Sequence, residues 1–308
     1  MSSVKMNSNF APYYLGWMLQ GRLYPPKDTQ PSFTGRHIIV TGANTGVGFE
    51  AAVKFVKLGA VRVILGVRSL KKGDDAKARI EHATGRKEIV DVWQLDMLDY
   101  DSIRAFARRA ETELPRLDIA VLNAGVASGT YQQSSYGWEN TLQINLLSTT
   151  LLALLLTPPL RSSRTVDFTP VLELISSSNH YLIRDLGSNT KGDVGLLERQ
   201  NHPSHFDTIE QYSVAKLFLQ YAQVSLARLA ISSKSDGKPD FYVINVCPGA
   251  TKSDLARGEQ PWYVRAFLWV FTTIFQKSTE EGSRSYISGA ALGEQGHGRF
   301  YEGDVIRE

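Results

Sequence analysis

The chain has 308 residues, of which 43% are hydrophobic and 21% charged, and this composition predicts a globular protein with a large core. The formal net charge of +3 is accompanied by no basic stripe or Arg-rich tail, which argues against a nucleic-acid-binding protein. Because Cys247 is the single cysteine, an intrachain disulfide is excluded, and we expect a reducing, cytoplasmic compartment.

Targeting and membrane-spanning segments are not expected. Residues 10–24 are rich in aromatic side chains, but Pro, Gly, Gln and Arg interrupt them, so they do not form the apolar region of a secretory signal. The apolar segments Leu146–Leu156 and Trp262–Phe275 are shorter than the roughly 18 residues that a membrane span needs. We predict a buried helix for the first. For the second we favour a substrate lid over a core helix or an anchor at a membrane surface.

Short apolar strands alternate with helices after an irregular leader at residues 1–34. The predicted strands are His37–Val40, Val61–Val67, Ile89–Leu95, Asp118–Leu122, Val171–Ser176 and Phe241–Val246, with a last one near Gly298–Tyr301. The predicted helices are Phe49–Leu58, Lys71–His82, Asp101–Glu113, Glu139–Leu156 and Ile209–Ala230, with a charged helix from Thr279. This alternation predicts an α/β fold with a doubly wound parallel sheet covered by helices on both faces.

No internal repeat or linker divides the chain, so one domain is expected over residues 35–308. The segments 181–211 and 252–278 are irregular in sequence. We expect both to wall a substrate pocket.

A glycine-rich turn lies between the first predicted strand and its helix. Its residues are Thr41, Gly42, Ala43, Asn44, Thr45, Gly46, Val47 and Gly48. The first glycine permits a tight turn, and the later ones let the backbone approach a pyrophosphate and the helix approach the sheet. The helix N-terminus supplies N–H donors and a partial positive charge. Strand, turn and helix in this order favour a dinucleotide site over a turn without a ligand.

The end of the second predicted strand indicates which dinucleotide binds. NAD enzymes carry an acidic residue there for the ribose 2′-hydroxyl, whereas this chain has Arg68. A guanidinium suits a 2′-phosphate by charge and geometry, so we favour NADP(H) over the alternative of a solvated arginine. Asp96 follows the third strand and could bond the adenine amino group, cap the next helix, or do both.

Tyr212 and Lys216 are four residues apart in a predicted helix and therefore share a face. An ammonium beside a phenol stabilises the phenolate and lowers its pKa from about 10, which makes a tyrosine usable as an acid or base. The lysine can also reach a nicotinamide ribose. Because pairs with this spacing are common by chance, the surrounding residues decide whether this one is catalytic.

Two further features surround that pair. Three serines, Ser176, Ser177 and Ser178, close the fifth strand, where open α/β sheets place their ligands. A hydroxyl there could hold a carbonyl oxygen beside the tyrosine, or the serines could form a plain turn. Asn145 lies in an apolar helix, where its amide needs partners, either a proton-relaying water near Lys216 or a helix carbonyl.

Together these motifs resemble the short-chain dehydrogenase/reductase superfamily over about residues 35–300. The matching motifs are TGxxxGxG at Thr41–Gly48, NAG at Asn123–Gly125, the active-site Asn at Asn145, YxxxK at Tyr212–Lys216 and PG at Pro248–Gly249. The resemblance implies a single Rossmann-type domain and a catalytic tetrad of Asn145, Ser177, Tyr212 and Lys216. Ser177 is chosen because family members place the serine second after the last branched residue of the strand, here Ile175; Ser176 and Ser178 remain alternatives.

The resemblance also implies cofactor contacts at Asn123, Pro248 and Gly249. Family members usually carry a threonine shortly after the Pro-Gly pair, where it contacts the carboxamide. This chain has Ser253 there and Thr251 nearby, so both are candidates.

The implied function is NADP(H)-dependent interconversion of a carbonyl and an alcohol on a small to medium apolar substrate. Leu65–Ser69 and Val92–Asp96 look like the retinol-dehydrogenase-like branch, most closely fungal members from secondary-metabolite pathways. Because cells keep NADP mostly reduced, the preference for NADP(H) at Arg68 indicates a reductase. The alternatives are a membrane-peripheral retinol- or lipid-type dehydrogenase and a non-catalytic NADP(H)-binding regulatory protein, against which the intact tetrad argues. No cluster of side chains has metal-ligand spacing.

Overall fold

The computed structural model describes residues 5–6, 10–186, 195–231, 238–252, 255–257 and 271–307. Its strands are β1 (Lys5–Met6), β2 (His37–Thr41), β3 (Arg62–Val67), β4 (Val90–Gln94), β5 (Ile119–Leu122), β6 (Ala127–Ser128), β7 (Val171–Ile175), β8 (Ile183–Asp185), β9 (Tyr242–Cys247), β10 (Ala256–Arg257), β11 (Phe300–Glu302) and β12 (Val305–Arg307). Its helices are α1 (Phe10–Leu23), α2 (Gly46–Lys57), α3 (Leu70–Thr84), α4 (Tyr100–Glu113), α5 (Asn140–Leu142), α6 (Thr149–Leu155), α7 (Thr157–Ser162), α8 (Leu196–Gln200), α9 (Thr208–Leu229), α10 (271–275) and α11 (Thr279–Ala290).

Eight strands form the central sheet in the order β12-β11-β9-β7-β5-β2-β3-β4, and all but β12 run parallel. Alternate residues point to opposite faces, so Ile64 joins one buried cluster while Val63 and Leu65 join the other. Helices α4, α6 and α9 cover the first cluster, and α2, α3 and α11 cover the second. The predicted doubly wound α/β fold is therefore confirmed.

The chain builds β2, β3 and β4 toward one edge and then returns to β5 on the other side of β2. This reversal opens a crevice at the carboxyl ends of β2 and β5, where doubly wound sheets bind their ligands. The fold thus directs the residues after β2, β3, β5, β7 and β9 to one region.

The antiparallel edge strand β12 was not predicted from the sequence. It pairs with β11 across the two-residue turn of Gly303 and Asp304, which have φ values of 55° and 62°. Two positive φ values are typical of the tight hairpin turn that a Gly-Asp pair favours. The strands on each side are only three residues long, too short for a visible alternation.

The leader is not irregular throughout, as the sequence suggested. Residues 10–23 form α1, and β1 pairs with β8. Gly16 and Gly21 lower the intrinsic helix propensity of this segment, but Met18 is buried against the rest of the protein. Tertiary packing of this kind supplies most of the stability of helices in proteins, and it explains why local sequence gave a different prediction.

The apolar segments have different outcomes. Leu146–Leu156 is the predicted buried helix, and it ends before Pro158 and Pro159, which occupy the first turn of α7. Most of Trp262–Phe275 lies outside the described residues, so the choice between lid, core helix and anchor stays open. Within the described part of the chain, no helix combines the length and the apolar character that a membrane crossing requires.

Candidate active site

A cleft of about 970 Å³ lies at the carboxyl ends of the strands. The sequence-predicted residues that line it are Gly42, Asn44, Thr45, Gly46, Val47, Arg68, Asp96, Asn123, Ser177, Tyr212, Lys216, Pro248, Gly249 and Thr251. Gly48 and Asn145 support this lining from behind. Of the predicted pocket segments, 252–278 contributes Leu255 and Gln276, and no described residue of 181–211 lines the cleft.

The glycine-rich turn is locked to the end of β5. Gly42 and Gly46 both have φ of 66°, a backbone region that favours glycine. A Cβ at Gly48 would lie 2.4 Å from Nδ2 of Asn123, whose amide donates a 2.8 Å hydrogen bond to the carbonyl oxygen of Thr41. The third glycine therefore permits close packing of α2 against the sheet, as predicted.

The N-terminus of α2 faces the cleft beside this turn. Thr45 is its N-cap, and the Thr45 side chain accepts no capping hydrogen bond from the described residues. The first N–H groups of an uncapped helix suit an anion such as a pyrophosphate.

Basic residues gather where β3 ends. Arg68 lines the cleft together with Ser69 and Lys72, and the side chain of Gln94 donates a 3.2 Å hydrogen bond to the carbonyl oxygen of Arg68. Ser69 caps α3 and accepts from the backbone N–H of Lys72 at 3.4 Å. Sequence reasoning missed Lys72, although its position in the first turn after the cap could have indicated it.

Asp96 does not cap the following helix. Asp99 is the N-cap of α4 and accepts a 2.9 Å hydrogen bond from the N–H of Asp101. Asp96 lines the cleft, and its Oδ1 accepts from the N–H of Leu98 at 2.9 Å. The interpretation of Asp96 as a helix cap is therefore wrong, and the adenine contact stays a prediction.

The three serines after β7 have different surroundings. Ser176 accepts a 3.0 Å hydrogen bond from the amide of Gln220, and Ser178 donates to the carboxylate of Glu302. Both are buried, although Ser176 also lines the cleft, whereas Ser177 is partly exposed in the cleft and lies close enough to the Tyr212 phenol to oppose the rise in its pKa. This geometry favours Ser177 among the three candidates.

Tyr212 and Lys216 lie on one face of α9, which Asp207 caps through hydrogen bonds from the N–H groups of Ile209 and Glu210. The Lys216 Nζ is 5.6 Å from the centroid of the Tyr212 ring and donates a 2.7 Å hydrogen bond to the carbonyl oxygen of Ile175.

The pKa of Tyr212 departs from the expected direction. Burial raises the pKa of this phenol, and the opposing effect of the Ser177 hydrogen bond is smaller. Burial also lowers the pKa of Lys216 to about 8. The expectation that Lys216 lowers the pKa of Tyr212 from about 10 is therefore wrong, because burial of the phenol outweighs the proximity of the lysine.

Asn145 is fully buried in a π-helical turn, Gln143–Ser148, between α5 and α6. Its Oδ1 accepts from the N–H of Val126 at 3.0 Å, and its Nδ2 donates to the Val126 carbonyl at 2.6 Å. The amide thus pairs with the loop after β5 and not with a helix carbonyl. Such π-turns often occur at functional sites. Its part in a proton relay stays a prediction.

The Pro-Gly pair after β9 packs against a buried lysine. Gly249 has φ of 71°, and a Cβ there would lie 2.7 Å from the Nζ of Lys277. Thr251 is buried and donates to the Gly249 carbonyl at 3.0 Å, while Ser253 lies outside the described residues. Lys277 was missed because a single lysine before a helix has no distinctive pattern; burial lowers its pKa.

Two other chemistries find no support in the described residues. Burial and Glu302 raise the pKa of Cys247 to about 12, so this thiol is unsuited to act as a nucleophile. Within the same part of the chain, no group of three or more His, Cys, Asp or Glu side chains could hold a metal ion.

Comparisons with known proteins identify relatives of this chain. A family model described as short chain dehydrogenase matches residues 36–166. The chain is 39% identical over 284 residues to the short-chain dehydrogenase/reductase phmF of Phaeosphaeria nodorum, covering 92% of this chain and 81% of that protein. It is 38% identical over 286 residues to the short-chain dehydrogenase/reductase ffsI of Aspergillus flavipes, with the same two coverages. These relatives are fungal, as the sequence resemblance implied.

Solved structures share the fold. A Pseudomonas aeruginosa structure titled as an RhlG/NADP active-site complex has a TM-score of 0.64, with 20% identity over 88% of this chain and 95% of that chain. The oxidoreductase yciK from E. coli has a TM-score of 0.62, with 23% identity over 92% of this chain and 99% of that chain.

Proposed function

Because the chain belongs to the short-chain dehydrogenase/reductase family, we propose that this oxidoreductase interconverts a carbonyl and an alcohol with NADP(H). The observation that carries the proposal is the convergence of Ser177, Tyr212 and Lys216 on one cleft, with the Lys216 Nζ 5.6 Å from the centroid of the Tyr212 ring. A substrate oxygen placed between the two hydroxyls would accept from both.

The residues divide the work of reduction among them. Ser177 holds the carbonyl oxygen, and Tyr212 gives it a proton. The reduced nicotinamide, when bound, supplies the hydride. Lys216, with a pKa near 8, keeps a cation beside the phenol at neutral pH. Asn145 holds the loop at Val126 and would organise the water that returns a proton. Fixed donors and fixed reactants account for much of the rate gain in such sites.

The cleft fits a dinucleotide with a 2′-phosphate. The left-handed glycines and the uncapped N-terminus of α2 suit the pyrophosphate, and Arg68 and Lys72 suit the additional phosphate. Asp96 would bond the adenine, while Asn123, the Pro248–Gly249 pair and Thr251 or Ser253 would support the nicotinamide half.

We further propose a reductase of fungal secondary metabolism that acts on a small to medium apolar molecule. The fungal relatives support the setting, and the preference for NADP(H), which cells keep mostly reduced, supports the direction. A single domain over residues 35–308 and a cytoplasmic location remain part of this proposal.

Replacing Ser177 tests which hydroxyl serves the substrate. We expect Ser177→Ala to lower kcat for ketone reduction by about 100-fold, as removal of an oxyanion donor does. Ser176→Ala is the matched control, since its hydroxyl meets Gln220, and should keep kcat within about threefold. Steady-state assays with NADPH decide the point: equal losses in both variants would remove Ser177 from its role.

The pH profile tests Lys216. Its pKa of about 8 means that the ammonium is present below this pH and is lost above it. We therefore expect kcat/KM for reduction to be constant from about pH 6 to 7 and to fall above about 8. Lys216→Arg should lower activity but remove that fall, because a guanidinium stays charged. A fall at the same pH in the arginine variant would assign the titration to another group.

A further inference from the structure

The N-terminal helix α1 forms one side of the cleft. Tyr14, Trp17 and Met18 line the cleft, and Met18 is only 4% exposed. The opposite face of the helix carries Leu15 and Leu19, which are 40% and 37% exposed. The helix therefore has a distinct inner face, and that face is directed at the site.

Hydrogen bonds connect this inner face to the serine loop. The Tyr14 hydroxyl donates to Oδ1 of Asn179 at 2.6 Å. The backbone N–H of Asn179 donates in turn to the Ser177 hydroxyl at 3.2 Å. Tyr14 also lies close enough to Tyr212 to raise the pKa of that phenol. Asn179 therefore links α1 to the Ser177 side chain, and both line the same cleft.

The helix is held at both ends, so it is a fixed wall. On its N-terminal side, β1 pairs with β8. On its C-terminal side, Arg284 donates to the Pro26 carbonyl at 3.2 Å, and the N–H of Lys27 donates to Asp304 at 2.8 Å. These contacts join the leader to α11 and to the hairpin between β11 and β12.

The chemistry of the inner face is aromatic. The rings of Tyr14 and Trp17 stack with centroids 5.3 Å apart and planes 25° apart, and Met18 lines the same cleft. Aromatic faces and thioethers bind flat unsaturated rings better than saturated ones of the same size. We propose that α1 selects the substrate, and that Tyr14 and Trp17 bind a flat, unsaturated ring attached to the reacting carbonyl.

This inference rests on the proposed function only for the reacting group, so its test measures binding separately from turnover. The probes are 2-acetylnaphthalene and its saturated counterpart 2-acetyldecalin, which have the same carbon skeleton. Titration calorimetry gives the Kd of each for the full-length protein saturated with NADP⁺, and parallel assays with NADPH give kcat/KM. The variants are Trp17→Ala, Trp17→Phe and, as the matched control on the outer face, Leu19→Ala.

We expect the unmodified protein to bind the naphthyl ketone about tenfold more tightly than the decalin ketone. Trp17→Ala should reduce this ratio to about one, whereas Trp17→Phe should keep most of it and Leu19→Ala all of it. The Kd for NADPH should stay within about twofold throughout, since no residue of α1 belongs to the glycine turn.

Two outcomes would overturn the inference. The first is equal binding of both ketones by the unmodified protein. The second is an unchanged ratio of the two Kd values in Trp17→Ala. Trp17→Phe is the control for misfolding, because it keeps an aromatic ring at this position. If the ketones bind with the expected ratio but neither is reduced, carbonyl reduction is wrong while the role of α1 stands.

Discussion

Tyr212→Phe is expected to lower kcat for carbonyl reduction by about 10³-fold or more. The substitution keeps the ring and removes the hydroxyl of a residue that lines the cleft together with Ser177. Loss of a positioned general acid costs about 10²–10⁴ in rate. Water could replace it only poorly, because the ring is partly buried and the oxygen would have to be held where the phenol was.

The same variant should retain NADPH binding. The Kd of this variant for NADPH is expected to stay within about threefold of the original value. Among the described residues, no hydrogen bond joins the glycine turn or Arg68 to Ser177 or to the Tyr212 hydroxyl, so the substitution should leave the cofactor contacts in place. Fluorescence titration of NADPH and steady-state kinetics measure the two effects. Tyr221→Phe is the matched control, since Tyr221 lies on the same helix and is 55% exposed. Activity above about a tenth of the original in Tyr212→Phe would refute the assignment of Tyr212 as the acid.

The pKa values explain why the tyrosine needs its neighbours. Burial favours the neutral phenol, which suits proton donation to a carbonyl. The reverse reaction needs the phenolate, and the nearby Lys216 ammonium is the cation that would stabilise it. The tyrosine side chain thus starts in the form that reduction requires, and oxidation should be favoured by higher pH.

Local patterns were sufficient for most of the fold. The seven parallel strands of the sheet were predicted to within one or two residues because most of them are short apolar runs that are buried on both faces. The glycine turn was predictable because Gly42 and Gly46 occupy backbone conformations that exclude most other residues. The pairing of Tyr212 with Lys216 followed from helical spacing alone.

The remainder depended on tertiary contacts. α1 contains two glycines, and its helical state is explained by what Met18 packs against. The pKa direction of Tyr212 depends on burial that its spacing to Lys216 does not reveal. The choice of Ser177 could have been made from the sequence. In an extended chain Ser176 and Ser178 share one face, and Ser177 points to the other. Lys277 could be found only once the fold had placed it beside Gly249.

Cofactor selection gives the second large expected effect. Arg68→Ala should raise the KM for NADPH by about 10- to 100-fold, because a charge-assisted hydrogen bond to phosphate is worth about 1.5–3 kcal/mol. The kcat should change by less than about twofold, since Arg68 follows β3, whereas Ser177 follows β7 and Tyr212 lies on α9. The KM for NADH should change little, because that cofactor lacks the 2′-phosphate.

A comparison of Lys72→Ala with Lys71→Ala distinguishes a specific contact with the cofactor from a general effect of positive charge. Both lie in the first turn of α3, but only Lys72 lines the cleft, so Lys72→Ala should raise the KM for NADPH several-fold and Lys71→Ala should leave it within about twofold. Steady-state kinetics with NADPH and NADH measure all three variants. Equal increases in KM for both cofactors in Arg68→Ala would place the guanidinium on a part of the dinucleotide that they share. The preference for NADP(H) would then have to be explained by residues other than Arg68. The expected result is a large rise in the KM for NADPH with little change for NADH. It would identify Arg68 as the residue that determines the cofactor preference, and this preference is the basis on which we infer the reductive direction.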